Sequence, residues 1–152
     1  MRLSSLTRPD LIFADLPGAD GPTVLRAFAE RVVERGLLPD ADLLYRRLLE
    51  REKLGTTALG EGVAVPHCKI DGLDEVMVAV GVFSKGIDFE TTDGEPVRLL
   101  FLVISPTAAP AAHLRSLAAI SKWVKADHHV ARILKEREPQ AIFELLDDLP
   151  ES

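Results

Sequence analysis

Apolar residues recur with a helical period in the first third of this chain, run almost unbroken through its middle, and return to the helical period towards its end. Residues 11–16 are short and apolar enough for a first strand, and Pro17-Gly18 with Asp20-Gly21 supplies turn chemistry directly after it. Pro22 suits a helix start. Leu25, Phe28, Ala29 and Val32 then follow at i, i+3, i+4 and i+7, on one helical face, and Gly36 is placed to end that helix. Asp40 is a candidate cap for a second helix, in which Ala41, Leu44, Tyr45 and Leu48 repeat the spacing to about Arg51; Arg46, Arg47 and Glu50 form its solvated face.

Residues 55–62, GTTALGEG, read as a flexible loop, and residues 62–66 as a short strand that delivers His67 to its C-terminal end. Residues 75–83 and 97–104 are continuous apolar runs rich in β-branched side chains, which predicts central strands buried on both faces. Between them Asp93-Gly94 signals a turn, with residues 87–90 as a possible short strand before it. Pro110 opens a helix to about Lys125, with Leu114, Leu117, Ala118 and Ser121 along one face. Asp127 can cap a short helix supported by Val130, Ile133 and Leu134, and Pro139 begins a last one with Ile142, Leu145 and Leu146 facing inward. The expected architecture is a single α/β domain, core about residues 10–148, with a mixed central sheet of about five strands and helices on its faces.

Composition narrows the function more than the fold. A length of 152 residues suits one domain, and 47% apolar with 28% charged residues is ordinary for a globular chain. A formal charge of -6 argues against a nucleic-acid partner, which would require clustered Lys and Arg. The one cysteine, Cys68, allows no intramolecular disulfide and no multi-cysteine zinc site. No apolar stretch approaches the roughly 18 residues of a membrane span, and the start is too polar for a signal peptide, so a cytoplasmic protein is expected.

Two phosphate-cradling fingerprints come close and fail. Gly55 and Gly60 have the spacing of the first two P-loop glycines, but Glu61-Gly62 stands where Lys and Ser/Thr must follow. Gly60 and Gly62 begin a dinucleotide pattern whose third glycine position holds Val65. With neither nucleotide motif, a phosphoryl donor has to be another phosphorylated molecule. The dense region is the run REKLGTTALGEGVAVPH ending at His67. It resembles the signature of the enzyme IIA domains of the bacterial phosphotransferase system, fructose/mannitol type, in which Arg-Glu, a Gly-Ser/Thr-Thr loop and a strand ending in Pro-His occur in this order. A second block, AAHLRSLAAIS at residues 111–121, is similar to the family's His-Leu helix start, and the distance between the two histidines matches. The similarity extends over about residues 23–147, and its character is nearest to the nitrogen-regulatory members.

The chemistry of such a site follows from its residue types. Imidazole is near half-protonated around neutral pH, so its free nitrogen can attack phosphorus and later release the group. Arg51 can supply fixed positive charge in a geometry that forks onto phosphate, and Thr56, Thr57 and the loop amides can supply neutral donors. His113 falls in the first turn after Pro110, where a helix start favours an anion. The resemblance implies that His67 is the phosphorylated residue and that His113 and Arg51 orient it or stabilise the transferred group, with Glu52 orienting Arg51 or a loop amide. It also implies a histidine-containing phosphocarrier protein as donor, with a IIB cysteine or a regulatory target protein as acceptor, and no cofactor.

Blander readings exist for each residue. His67 alone is a hydrogen-bonded strand-end histidine, His113 a helix residue and Arg51 a solvated helix end. His128 and His129 match no motif position and read as exposed helix-start residues. A remote metal reading joins Cys68, His67 and His113 with Glu52 or Glu61 as a fourth ligand. Two departures from the family pattern stand out. Ala58 sits where relatives commonly have glycine, which would be strained at positive φ, and residues 107–109 are small and less polar than is usual beside the second histidine. Trp123 and the apolar helix faces are open to use in a homodimer as well as in a core.

Overall fold

The computed structural model of the chain describes residues 2–126 and 128–147. Its helices and strands alternate in the order the apolar periods require. After two single turns of 3-10 helix come β1 (Ile12–Ala14), α1 (Gly21–Glu34), α2 (Ala41–Lys53), β2 (Ala58–Gly60), β3 (Val63–Ala64), β4 (His67–Ile70), β5 (Met77–Ile87) and β6 (Val97–Pro106). Helices α3 (Pro110–Lys125), α4 (His129–Ile133) and α5 (Pro139–Leu146) follow. Asp20 caps α1 by accepting the Thr23 amide, and Asp40 caps α2 by accepting the Leu43 amide, so both helices start where an Asp satisfies an otherwise free N–H. The Asp127 cap expected for α4 lies outside the described residues.

Among the described residues the sheet has six strands, in the order β1-β5-β6-β3-β2, with β4 also paired to β6. Two strands were not expected: β4, and β2, which lies inside the stretch expected to be loop. Residues 87–90, expected as a short strand, form none of their own, since Ile87 ends β5 and Asp88 makes a single bridge to Asp20. Glu61 (φ 55°) and Gly62 (φ 82°) make the two-residue turn of a hairpin that pairs β2 antiparallel to β3. Positive φ at both central positions matches the right-handed twist of the flanking strands. Ala58 is not among the residues at positive φ, so alanine carries no strain there.

The two long apolar runs form the middle of the sheet because both of its faces are covered. On one face Ala79, Phe83, Leu100, Leu102 and Ile104 pack against Leu25, Phe28 and Val32 of α1 and Leu44 and Leu48 of α2. On the other, Val78, Val80, Val82, Leu99, Phe101 and Val103 meet Ile120 and Trp123 of α3, Ile133 of α4 and Ile142 and Leu146 of α5. A strand buried on both sides has no polar alternation to show. Gly81 on β5 permits the closest helix approach, since a Cβ there would stand 2.6 Å from the Phe28 ring.

Two expectations about faces are corrected, and one left open is decided. Helix α3 buries His113, Ser116, Ile120 and Trp123, while Leu114, on the face predicted from apolar spacing, is 66% exposed. Trp123 is enclosed in the core and offers no dimer surface. His129, expected on the surface, is buried, with its ring 4.8 Å from that of Trp123 and its Nδ1 3.0 Å from the Trp123 carbonyl oxygen.

Candidate functional site: two histidines and an arginine at a strand break

β3 and β4 lie end to end along the same side of β6, and the break between them makes the site. Pro66 has no N–H to offer a ladder, so the chain leaves the pairing after Ala64 and rejoins it at His67. The break is tied down on both sides: the Val65 amide donates to the Thr57 carbonyl (3.0 Å), and the Pro66 carbonyl accepts from the Val103 amide (2.9 Å). His67 is therefore the first residue of β4, not the tip of the strand before it. Alternation along β4 puts Cys68 and Ile70 into the core under α1 and α2, and leaves His67 and Lys69 on the opposite face, towards α3.

Arg51 reaches His67 from the last turn of α2. Its Nε–H donates to His67 Nε2 at 3.1 Å, and its Nη1 donates to the Gly55 carbonyl at 2.9 Å, which fixes the guanidinium plane. On the far side of the ring, His67 Nδ1 lies 2.8 Å from the Val65 carbonyl oxygen. A carbonyl can only accept, so the ring proton is on Nδ1 and the lone pair is on Nε2, facing Arg51. Burial lowers the pKa of His67; the Val65 hydrogen bond opposes that, and the charges of Arg51 and Lys69 add to it. The lowered pKa favours the neutral ring, whose free lone pair on Nε2 is turned towards Arg51.

His113 enters from the first turns of α3, with its ring centroid 5.3 Å from that of His67. Only 5% of the residue is exposed, and burial, with His67 and Lys69 nearby, pushes its pKa down to about 4. It too is neutral at physiological pH. Its Nδ1 meets Ser105 Oγ at 2.5 Å.

Glu52 follows Arg51 but turns away from it. Its carboxylate accepts from the Thr57 amide (3.3 Å) and the Thr57 hydroxyl (2.5 Å), so of its two expected tasks it performs the second, holding a loop amide. Burial raises its pKa despite those donors. The Thr56 hydroxyl donates to the Glu90 carbonyl and accepts from the Ala58 amide. Both threonine hydroxyl protons are thus engaged in building the loop and are not the free donors that the sequence suggested.

His67 and Arg51 line two hollows. One, of about 570 Å³, is lined also by Arg47, Glu50, Leu54, Cys68, Lys69 and His113; the other, of about 210 Å³, by Thr56, Thr57, Ala58, Leu59, Val65 and Leu117. A separate groove of about 520 Å³ beside Thr7 and Leu73 shares no lining residue with them and holds no histidine or cysteine. The exposed large apolar side chains among the described residues are Leu54, Leu59 and Leu114: the first two line these hollows, and the third follows His113 on α3. Among the described residues no group of three or more His, Cys, Asp or Glu side chains is placed to hold a metal ion. Burial also pushes the Cys68 thiol up to about 12, far from the thiolate a metal requires.

Sequence reasoning missed Ser105 and the Val65 carbonyl. A carbonyl leaves no trace in a sequence. Ser105 left one faint signal, a hydroxyl closing an apolar strand eight residues before a histidine.

An open mixed sheet covered by helices on both faces, with a histidine between an arginine and a second imidazole at a strand break, defines an α/β domain, and similarity to known proteins gives its family. The phosphoenolpyruvate-dependent sugar phosphotransferase system EIIA 2 family model matches residues 5–149, and the chain belongs to that family. A nitrogen regulatory protein from Bradyrhizobium diazoefficiens is 36% identical over 147 residues, covering 96% of this chain and 95% of that protein. A fructose-specific EIIA component from Haloferax volcanii is 30% identical over 149 residues, covering 98% and 97%. Nitrogen regulatory protein IIA-Ntr from Neisseria meningitidis shares the fold with a TM-score of 0.87 at 23% identity, covering 95% of this chain and 98% of that one. No helix among the described residues is long and apolar enough to cross a membrane.

Proposed function

We propose that this IIA component acts in the cytoplasm as a phosphohistidine relay, taking a phosphoryl group on His67 Nε2 from a histidine-containing phosphocarrier protein. One observation carries the reading: the lone pair on Nε2 faces a guanidinium at 3.1 Å, beside a second neutral imidazole, in an open hollow. The lone pair attacks phosphorus as the donor's P–N bond breaks, and that electron pair returns to the donor's imidazole. His67 keeps its Nδ1 proton, so the product is a phosphoimidazolium held by the Val65 carbonyl, a form that gives up its phosphoryl group readily. Positive charge from Arg51 offsets the charge spread over the phosphoryl oxygens, and catalysis is mostly positioning. Arg51 exchanges its bond to Nε2 for one to the phosphoryl group.

Exposed Leu54 and Leu59 in the linings of the hollows, with exposed Leu114 next to His113 in the chain, support a protein as donor and acceptor. The acceptor side follows the relatives. Identity of 36% with a nitrogen regulatory protein favours a signalling role, in which the phosphorylation state alters contact with target proteins. Identity of 30% with a fructose-specific EIIA component supports the second reading, transfer to a IIB cysteine during sugar uptake.

Incubation with phosphocarrier protein bearing labelled phosphate tests the relay. The parent takes up label without Mg²⁺ or ATP, His67→Ala takes up none, and His113→Ala takes it up slowly. Label retained by His67→Ala at the parental level would place the phosphoryl group elsewhere.

A further inference from the structure

We infer that Ser105 is a positioning residue for this transfer: its hydroxyl holds His113 with hydrogen on Nε2, so that the second imidazole donates to a phosphoryl group carried by His67. The inference rests on the relay reading for its purpose and on separate geometry for its content. Ser105 lies near the end of β6, paired with Lys69 and two residues beyond Val103, the partner of His67. Strand alternation therefore turns Ser105 to the same face as Val103, towards α3, where Oγ meets His113 Nδ1 at 2.5 Å.

Ser105 is fully buried, and a hydroxyl has one proton to place. Among the described residues its side chain's hydrogen-bond partner is His113. If Nδ1 carried the hydrogen, it would donate to Oγ and the serine proton would be left in the core without an acceptor. If Ser105 donates, both groups are satisfied by a single bond. Charging both nitrogens is opposed by burial and by the neighbouring His67 and Lys69, which hold His113 neutral. The remaining arrangement has Nδ1 bare and Nε2 protonated.

The two rings then hold opposite tautomers, each set by what touches its Nδ1. An acceptor-only carbonyl gives His67 a lone pair on Nε2, and a hydroxyl gives His113 an N–H there. A relay uses this asymmetry: one ring bonds to phosphorus and the other donates to a phosphoryl oxygen. No proton is transferred, because the His113 N–H only hydrogen-bonds. With the opposite tautomer, His113 would present a lone pair to an anion and repel it.

The test reads the rings directly. In the ¹⁵N-labelled full chain at pH 7, without any carrier, long-range ¹H–¹⁵N correlation should show His113 with a bare Nδ1 and a protonated Nε2. Ser105→Ala should turn that spectrum into a tautomer mixture while leaving the His67 ring pattern unchanged. It should also slow label uptake from the phosphocarrier protein about tenfold, the lower end of what ring-orienting partners are worth. Hydrogen on Nδ1 of His113 in the parent, or a Ser105→Ala protein that takes up label at the parental rate, would overturn the inference. Failure of the parent to accept phosphate at all would instead remove the relay reading, because the tautomer is measured without it.

Discussion

Arg51 and Glu52 are adjacent in the last turn of α2, yet they serve opposite sides of the same loop. Arg51 faces the imidazole and ties itself to the Gly55 carbonyl, whereas Glu52 turns inward to collect the Thr57 amide and hydroxyl. The Glu52 carboxylate is thus used as a loop anchor, away from the imidazole. Glu52→Ala leaves two part-buried donors without an acceptor, a loss of about 1–3 kcal/mol. Urea unfolding should register that loss, and label uptake should slow, because the Thr57 carbonyl that receives the Val65 amide behind His67 is anchored by the same loop. Unchanged stability would mean that water replaces the carboxylate at no cost.

At the scale of elements, legibility followed burial symmetry. β5 and β6 were readable because both faces of the sheet are covered and the runs VMVAVGVF and VRLLFLVI show no polar alternation, Arg98 being their one polar member. Helices α1 and α2 were readable because each buries one stripe and has a marked start, Pro22 for α1 and the Asp40 cap for α2, whereas the Asp20 cap of α1 was read only as a turn. Helix α3 had readable ends and an unreadable face: its buried side includes His113 and Ser116, polar residues set into the interior, while Leu114 is left outside. An apolar-spacing argument fails wherever function puts polar groups in and apolar groups out. The hairpin of β2 and β3 was hidden for another reason, since strands of three and two residues are too short to display a period. The order Arg51, loop, His67, His113 was legible from the pattern, but the tautomers were not, because a backbone carbonyl and a buried hydroxyl decide them. The caps can be tested by themselves: Asp40→Ala removes the acceptor of the Leu43 amide at the start of the helix that carries Arg51, and thermal unfolding should show a loss of about 1 kcal/mol. A change under a few tenths would show that water caps α2 equally well.

The whole molecule couples its site to its stability through the two neutral histidines. Both have pKa values lowered on folding, mainly by burial, so the unfolded chain binds protons more readily than the folded one once the pH falls below the ordinary histidine value near 6.5. Stability should decline from there, and for His113 the decline should end near its folded value of about 4. Its share by pH 5 is about 2 kcal/mol. The depressed carboxyls of Asp15 and Asp20 act in the same direction, but only at lower pH, where they protonate. Glu52 acts in the opposite direction, because a raised carboxyl pKa favours the folded state as its proton is taken up. Urea midpoints between pH 7 and 5 should therefore fall for the parent and fall less for His113→Gln, which has no ring to protonate. Parallel profiles for the two proteins would mean that His113 takes up its proton at the same pH in the folded chain as in the unfolded one, so that burial does not hold the ring neutral; once charged, Nδ1 could not accept the Ser105 proton and the site would carry a second cation beside Arg51 in place of a neutral donor.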